Sequence, residues 1–373
     1  MIYLDNAATT KPLPLVIERM SYVMQNVYAN PSSLHKKGIE AENIIKEASE
    51  FFASKLGCTK EEIIYTSGGT ESNNLAILGV AHAYKRYRNK LITTQIEHSS
   101  VKEVFNFLKQ NGWEVYELNV NNEGYIDLDE LEREINDNTA LVSIMHVNNE
   151  IGTIQDITKI GDIIKRINKD TIFHVDAVQS FVKMPISVKN SRIDLLSVSG
   201  HKFYGPKGVG FLYKNSKVRL TNLFYGGGQQ KNIRSGTENV QSIAGMHTAA
   251  SVLFKVYPSL ETHKEYFANK ILMQIEDTKV NGPKLGEGAP HILSITFARI
   301  KSEVLLHALE AKDIYVSSGS ACSSNSNKKK GTLNAIGVAE GAIRFSFGID
   351  TTKEELDYVV KVLDSQVKLL RLI

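Results

Sequence analysis

The sequence predicts an α/β protein with a large, mostly parallel sheet domain and a smaller α+β domain after it. Three observations carry this reading. Strand-like and helix-like segments alternate from Ile63 to Tyr213, the pattern of a parallel sheet with helices on both faces. Polar clusters fall at the ends of successive strand-like runs, where open sheets of this kind bind ligands. Past Gly226-Gly227-Gly228 the alternation stops and a different pattern begins.

Taken in order, residues 1–13 read as extended, with a strand-like IYLD followed by a loop. Leu15 to Val27 has helical periodicity, and the Asn30-Pro31-Ser32-Ser33 loop precedes a long amphipathic helix from Lys36 to Leu56, which Gly57 stops. Ile63 to Thr66 reads as a strand, and SGGTES leads into a helix from about Glu71 to Tyr84. Leu91–Thr94, Val115–Val120 and Leu141–Val147 are strand-like, each followed by a helix: Ser99–Gln110, Leu128–Ile135 and Ile157–Asn168. Ile172–Val175, Leu195–Val198 and Val209–Tyr213 complete the strand series. A single long helical region is expected from Val240 to Thr278, followed by strands at Ile292–Phe297 and Ala342–Phe347 and helices at Ser302–Glu310 and Lys353–Leu370. The SSGSACSSNSNKKK stretch from Ser317 to Lys330 is polar and rich in small residues.

Bulk composition narrows the function classes. The 373 residues are 42% hydrophobic and 23% charged, ordinary for a soluble chain with a substantial core. Lys and Arg (44) nearly balance Asp and Glu (41), which argues against a nucleic-acid or membrane-surface protein. No apolar run approaches a membrane span and the first residues lack a secretory pattern, so the cytoplasm is the expected compartment. Two cysteines, Cys58 and Cys322, make neither a disulfide framework nor a four-cysteine metal site.

The central stretch is SVSGHKFYGPKGVG, Ser197 to Gly210, where Lys202 stands between a buried strand and a Gly/Pro turn beside His201. A lysine crowded and desolvated in this way is a candidate to hold an aldehyde cofactor. Ser67 to Ser72 can present backbone N–H groups to a phosphate at a helix start, or simply cap that helix. Asp176 in HVDAVQ can pair with a pyridinium nitrogen or cap a strand end. His98 can stack on a flat ring or sit as a satisfied surface histidine, and Asn149 can offer an amide to a substrate or ring oxygen. A zinc site from His98, His146, His174 and His201 lacks the close ligand spacing of zinc sequences, and no metal is expected.

Together YLDNAATT, TSGGTESNNLAI, EHSSV, SIMHVNNEIGTIQDI, HVDAVQS, SVSGHKFYGPKGVG, RSGTENV, SSGSACSS and IRFSFG span nearly the whole chain. In order and wording they resemble the class V, fold type I pyridoxal-phosphate enzymes, specifically cysteine desulfurases of the NifS/IscS type. The resemblance implies a seven-stranded large domain over 14–255, and a small domain formed by 1–13 and 256–373. It implies that Lys202 is the Schiff-base lysine for pyridoxal 5'-phosphate. Gly69, Thr70, Ser199 and His201 would hold the phosphate, with Thr237 reaching it from the partner of a homodimer. Asp176 would face the pyridine nitrogen and Gln179 the ring hydroxyl. His98 would stack on the ring as a catalytic group. Asn149 would border the cofactor and, with Arg344, hold the substrate carboxylate. Cys322 would take the sulfur of L-cysteine as a persulfide, release L-alanine, and pass the sulfur to an iron–sulfur scaffold or a tRNA- or cofactor-thiolation enzyme. A selenocysteine lyase or another class V aminotransferase-type enzyme is the alternative; the thiol in its small-residue loop argues against a simple aminotransferase.

Overall fold

A seven-stranded mixed sheet carries the larger part of the chain. The structure, a computed structural model, describes residues 1–257, 259–318, 331–338 and 340–372. Strand β1 (Ile2–Tyr3) and helices α1 (Pro14–Asn26) and α2 (Lys36–Leu56) come first, and Gly57 ends α2 in the left-handed conformation at φ 75°. The alternating series is β2 (Ile63–Thr66), α3 (Gly69–Tyr84), β3 (Lys90–Thr94), α4 (Ser99–Gln110), β4 (Glu114–Leu118), α5 (Leu128–Glu134), β5 (Thr139–Met145), α6 (Ile157–Ile167), β6 (Ile172–Asp176), β7 (Leu195–Ser199) and β8 (Gly210–Lys214). Helix α7 (Val240–Val256) then packs against α1 and α2.

The sheet order is β2-β8-β7-β6-β5-β3-β4. The pairs from β4 to β7 are parallel, whereas β8 runs antiparallel to both β7 and β2. The connection from β7 to β8 holds only the Lys202 turn and no crossover helix, so the chain can return only antiparallel. The central strands are buried on both faces, with alternate residues serving opposite cores. Leu91, Leu141, Leu195 and Leu212 pack with α3 and α4; their neighbours Ile92, Val142, Leu196 and Phe211 pack with α2, α5, α6 and α7. On the face covered by α2, α5, α6 and α7, Phe181 lies 5.3 Å from Phe211 and 5.6 Å from Phe203, ring centre to ring centre. Each such pair contributes about 0.5–1.5 kcal/mol beyond area burial. Phe203 follows Lys202 directly, so this aromatic cluster fixes the backbone from which the lysine projects.

A second core forms around α8 (Glu261–Gln274), β9 (Thr278–Asn281), β10 (Ile292–Phe297), α9 (Ser302–Glu310), β11 (Ile314–Tyr315), β12 (Ser317–Ser318), α10 (Thr332–Ala335), β13 (Ala342–Ser346) and α11 (Lys353–Leu370). Its sheet, β12-β13-β10-β9, is antiparallel, and β1 pairs in parallel with β11. The single helix expected from Val240 to Thr278 is two helices and the start of a strand. The break falls at Tyr257, extended at φ −60° and ψ 116°. It precedes Pro258 in the sequence, and proline bars the helical region to the residue before it.

The N-terminal segment ties the two sheets together. Ala7 N–H donates to Ser346 Oγ (2.8 Å), Thr10 N–H to the His201 carbonyl (3.0 Å), and Leu13 N–H to the Tyr204 carbonyl (3.1 Å). Tyr204 holds a left-handed φ of 64°, a conformation costing a non-glycine residue about 1–3 kcal/mol. Thr10 Oγ1 accepts its N–H at 2.6 Å, and its own hydroxyl accepts from Ile349 N–H at 2.8 Å.

Candidate active site

The carboxyl ends of β3, β5, β6 and β7 open onto one cavity of about 420 Å³. Gly69, Thr70, His98, Asn149, Asp176, Gln179, Ser199, His201, Lys202 and Arg344 all line it, which brings together ten of the twelve residues singled out from the sequence. The other two are Thr237 and Cys322. Thr237 is exposed and lines a separate cavity with Val23, Tyr28 and Pro31. Cys322 lies outside the described residues.

Each position follows from its element. Helix α3 starts at Gly69, two residues before the expected start, so Gly69 and Thr70 occupy its first turn with their N–H groups unspent. No side chain caps this end. Gly68 takes φ 150°, and a Cβ there would stand 3.4 Å from Ser199 Oγ, so the Ser199 hydroxyl borders the helix start. Glu71 accepts from Ser67 N–H (2.9 Å) and pairs with Arg234 (2.8 Å), linking this loop to RSGT.

Asp176 ends β6, 5% exposed, and its two oxygens accept from Asn73 Nδ2 (2.8 Å) and Val178 N–H (2.9 Å). Asn73 also donates to Ser100 Oγ at 2.9 Å. Gln179 donates to the Ala7 carbonyl (2.9 Å), while its buried Oε1 meets no protein partner. Lys202 Nζ donates to the carbonyls of Ala7 (2.8 Å) and Ala8 (2.7 Å).

The two cavity histidines are biased toward neutrality. Burial lowers His98, the Asp176 carboxylate opposes this, and Lys202 adds to it. His98 Nδ1 accepts from Ser100 N–H at 3.1 Å, which leaves the ring proton to Nε2. His201 is pushed down to about 4 by burial, then by the cations Lys202, Lys207 and Lys183, and its Nδ1 lies 3.1 Å from Thr9 Oγ1.

Arg344, on β13, reaches the cavity from the second sheet. Its Nη1 donates to the Asn149 carbonyl (2.7 Å) and its Nη2 to Asp5 Oδ1 (2.7 Å), while Nε is buried with no partner. Nearby, Asn148 Nδ2 donates to Thr332 Oγ1 (3.3 Å), and Thr332 donates to Glu150 (2.9 Å). Ser317, one residue before the last described position ahead of the Cys322 segment, lines the cavity.

The remaining histidines of the zinc alternative are structural. His174 is fully buried between Ser143 Oγ (2.8 Å) and Ser197 Oγ (2.9 Å), which use both ring nitrogens, and burial lowers it to about 3. His146 is likewise lowered to about 4 by burial. Among the described residues no group of three His, Cys, Asp or Glu could hold a metal ion. Cys58 is a thiol at neutral pH, pushed up to about 12 first by burial and then by Glu62.

Sequence reasoning passed over Asn73, Ser100, Asp5 and the carbonyls of Ala7 and Ala8. Asn73 lies four residues past Gly69, one helical turn further along the same face of α3, a spacing that marks it as a neighbour of the loop it follows. Asp5 carries no local signal, because its partner is 339 residues away.

Comparison with known proteins agrees with this geometry. The family description "Aminotransferase class-V" matches residues 2–359. The cysteine desulfurase IscS of Dictyoglomus turgidum is 42% identical over 380 residues, covering 100% of this chain and 96% of its own. The mitochondrial cysteine desulfurase of Saccharomyces cerevisiae is also 42% identical, covering 99% of this chain and 76% of its own. Among solved structures, a NifS-like protein superposes with a TM-score of 0.92 at 36% identity, covering 99% of both chains. SspA in complex with cysteine superposes at 0.83 with 35% identity, covering 93% of this chain and 99% of its own. The chain therefore belongs to the class-V aminotransferase family and, within it, to the cysteine desulfurases.

Proposed function

We propose that this chain is a pyridoxal-phosphate-dependent cysteine desulfurase that converts L-cysteine to L-alanine and carries the sulfur on Cys322. One observation carries the reading: Lys202, Asp176, Gln179, His98, Ser199, His201 and the uncapped start of α3 share one cavity with Arg344.

The residues present fit the cofactor. The α3 start and Ser199 suit a phosphate. The buried Asp176 carboxylate suits a pyridinium nitrogen, and the orphaned Gln179 Oε1 calls for a donor such as a ring hydroxyl. Lys202 would hold the aldehyde carbon. When bound, the cofactor supplies an electron sink for the electrons of the substrate Cα–H bond.

This chain's own groups do the rest. Arg344 and Asn149 bind the substrate carboxylate, and Arg344 keeps a buried Nε for it. Lys202 Nζ, at the cavity wall, would take the substrate Cα proton. His98 would lie against the cofactor ring. The Cys322 thiolate attacks the substrate sulfur: a sulfur–sulfur bond forms, the Cβ–S bond breaks, and the proton balance leaves L-alanine and a Cys322 persulfide. Ser318 lies four residues from Cys322, a reach of up to about 14 Å of extended chain, and supports this assignment.

The persulfide then passes to an acceptor of iron–sulfur assembly or of tRNA or cofactor thiolation, in keeping with the IscS naming of the relatives. The active form is a homodimer in which Thr237 completes the partner's phosphate site. Its exposure, its place in a separate cavity of its own chain, and the exposed Leu15, Ile17, Met24 and Tyr28 on and after α1 support this. The chain divides functionally into 14–255 and a small domain of 1–13 with 256–373, and it works in the cytoplasm. No described helix is long and apolar enough to cross a membrane.

The test incubates the protein with pyridoxal phosphate, L-cysteine and a reductant, and measures alanine and sulfide. The wild type produces both in equal amounts. Cys322→Ser keeps the visible absorbance of the bound cofactor and loses alanine production; Lys202→Ala loses both. Full cysteine turnover by Cys322→Ser overturns the mechanism.

A further inference from the structure

Glu97 lies between the end of β3 and the start of α4, 4% exposed, one residue before His98. Its Oε1 accepts from Met145 N–H (2.9 Å) and from Thr94 Oγ1 (2.9 Å). Its Oε2 is buried and meets no partner. Met145 is the β5 residue registered opposite Asp176 of β6, so the Glu97 carboxyl sits over the neighbouring rung, one strand from Asp176.

This setting is poor for a carboxylate. An ionised carboxyl can accept at about four lone-pair sites, and leaving one buried oxygen bare is costly. Both donors that Glu97 has are neutral and both serve the same oxygen. The charged and titratable groups around it are Asp176 on β6, Lys102 on α4 and His98 next in the chain. Burial is the largest influence, raising Glu97 to about 8. The Met145 N–H opposes this, Asp176 adds to it, and Lys102 opposes it most weakly.

We propose that Glu97 is kept as a neutral carboxylic acid in the working enzyme and acts as a positioning residue, tying the His98 loop to β5 without setting a second negative charge beside Asp176. The carboxyl oxygen then performs a mechanical task, holding Met145 N–H and with it the register between His98 and Asp176. The proton it keeps protects the role of Asp176 as the single anion facing the ring nitrogen. This second part rests on the cofactor reading above. Ionisation of Glu97 in alkali would raise the proton affinity of His98.

The test is infrared difference spectroscopy of the protein with and without pyridoxal phosphate, comparing wild type with E97Q across a pH titration. Glutamine keeps the Oε1 acceptor and cannot ionise. The wild type should show the C=O stretch of a protonated carboxylic acid, shifted in heavy water and fading near pH 8; E97Q should lack it. In the holoenzyme the visible absorbance should show a step at the same pH that E97Q loses. E97A, which removes the acceptor, should weaken pyridoxal phosphate binding about tenfold, and E97Q should restore it. Absence of the acid band from wild type at neutral pH, or its persistence in E97Q, overturns the proposal. A wild-type band alone suffices for this decision if E97Q does not fold. If the band behaves as stated and no pyridoxal phosphate binds, the cofactor reading fails and the protonation of Glu97 stands.

Discussion

Gly210→Ala should damage both the sheet and cofactor binding, by an amount the geometry sets. Gly210 opens β8 and is registered between Ser199 of β7 and Thr66 of β2. A Cβ there would stand 2.3 Å from the Val198 carbonyl oxygen and 2.8 Å from Gly68 Cα. Both obstacles are backbone, so no rotamer change relieves them; the strand ends must move apart. Overpacking a closed interior costs about 1–3 kcal/mol, and a backbone clash falls at the upper end. Gly68 leads into the first turn of α3, the phosphate site of the proposed cofactor. If half to all of about 3 kcal/mol appears as displacement of that turn, pyridoxal phosphate binding weakens about ten- to hundredfold. Titration of cofactor-free protein followed by visible absorbance measures this, with urea unfolding in parallel. Binding within twofold of wild type would refute the reasoning, even with a lowered unfolding midpoint, since the strain would then stay in the sheet.

Two further outcomes follow from the charges. Arg344→Lys should raise KM for L-cysteine about ten- to a hundredfold with a smaller change in kcat. An ammonium gathers its donors on one nitrogen and lacks the planar fork with which Arg344 reaches Asn149 and Asp5 from separate nitrogens, and losing a charge-assisted bond costs about 1.5–3 kcal/mol. Steady-state alanine formation checks it, and a KM within twofold of wild type would rule it out. Glu97 binds its proton more tightly folded than unfolded, so the stability this proton gives is complete below its ordinary value of 4.5 and gone above about 8. The loss is at most about 5 kcal/mol. His146, His174 and His201 run the other way, since their lowered folded values cost stability as pH falls below the ordinary 6.5. Denaturant unfolding of wild type and E97Q at pH 5 and pH 8 cancels the histidines; equal pH dependence in both would count against a raised Glu97.

Features repeating within a short window were readable without the structure. Alternation between Ile63 and Tyr213 exposed the sheet, because each strand and its helix announce themselves over a dozen residues or so. Lys202, Asp176 and His98 were visible because the sheet topology delivers strand ends to one edge, so being at a strand end already implied being near the others. The direction of β8 was not visible, since periodicity reports which face a residue serves and not which way the chain runs. The helix break at Tyr257 was legible in Pro258 and lost in the apolar pattern that continues past it. Asp5, Ala7 and Ala8 join the site only through pairings spanning 194 to 339 residues, for which no local window carries a trace.

Those long pairings bear on how the molecule is born. Asp5 waits for Arg344, Asn6 and Ala7 wait for Ser346, and the Lys202 ammonium closes on a carbonyl made 195 residues before it. During translation the seven-stranded sheet can assemble once β8 has emerged, yet its mouth stays unfinished until β13 leaves the ribosome. Residues 2–13 act as a late clasp, and disturbing them would burden the step that completes the pocket rather than the step that builds the sheet.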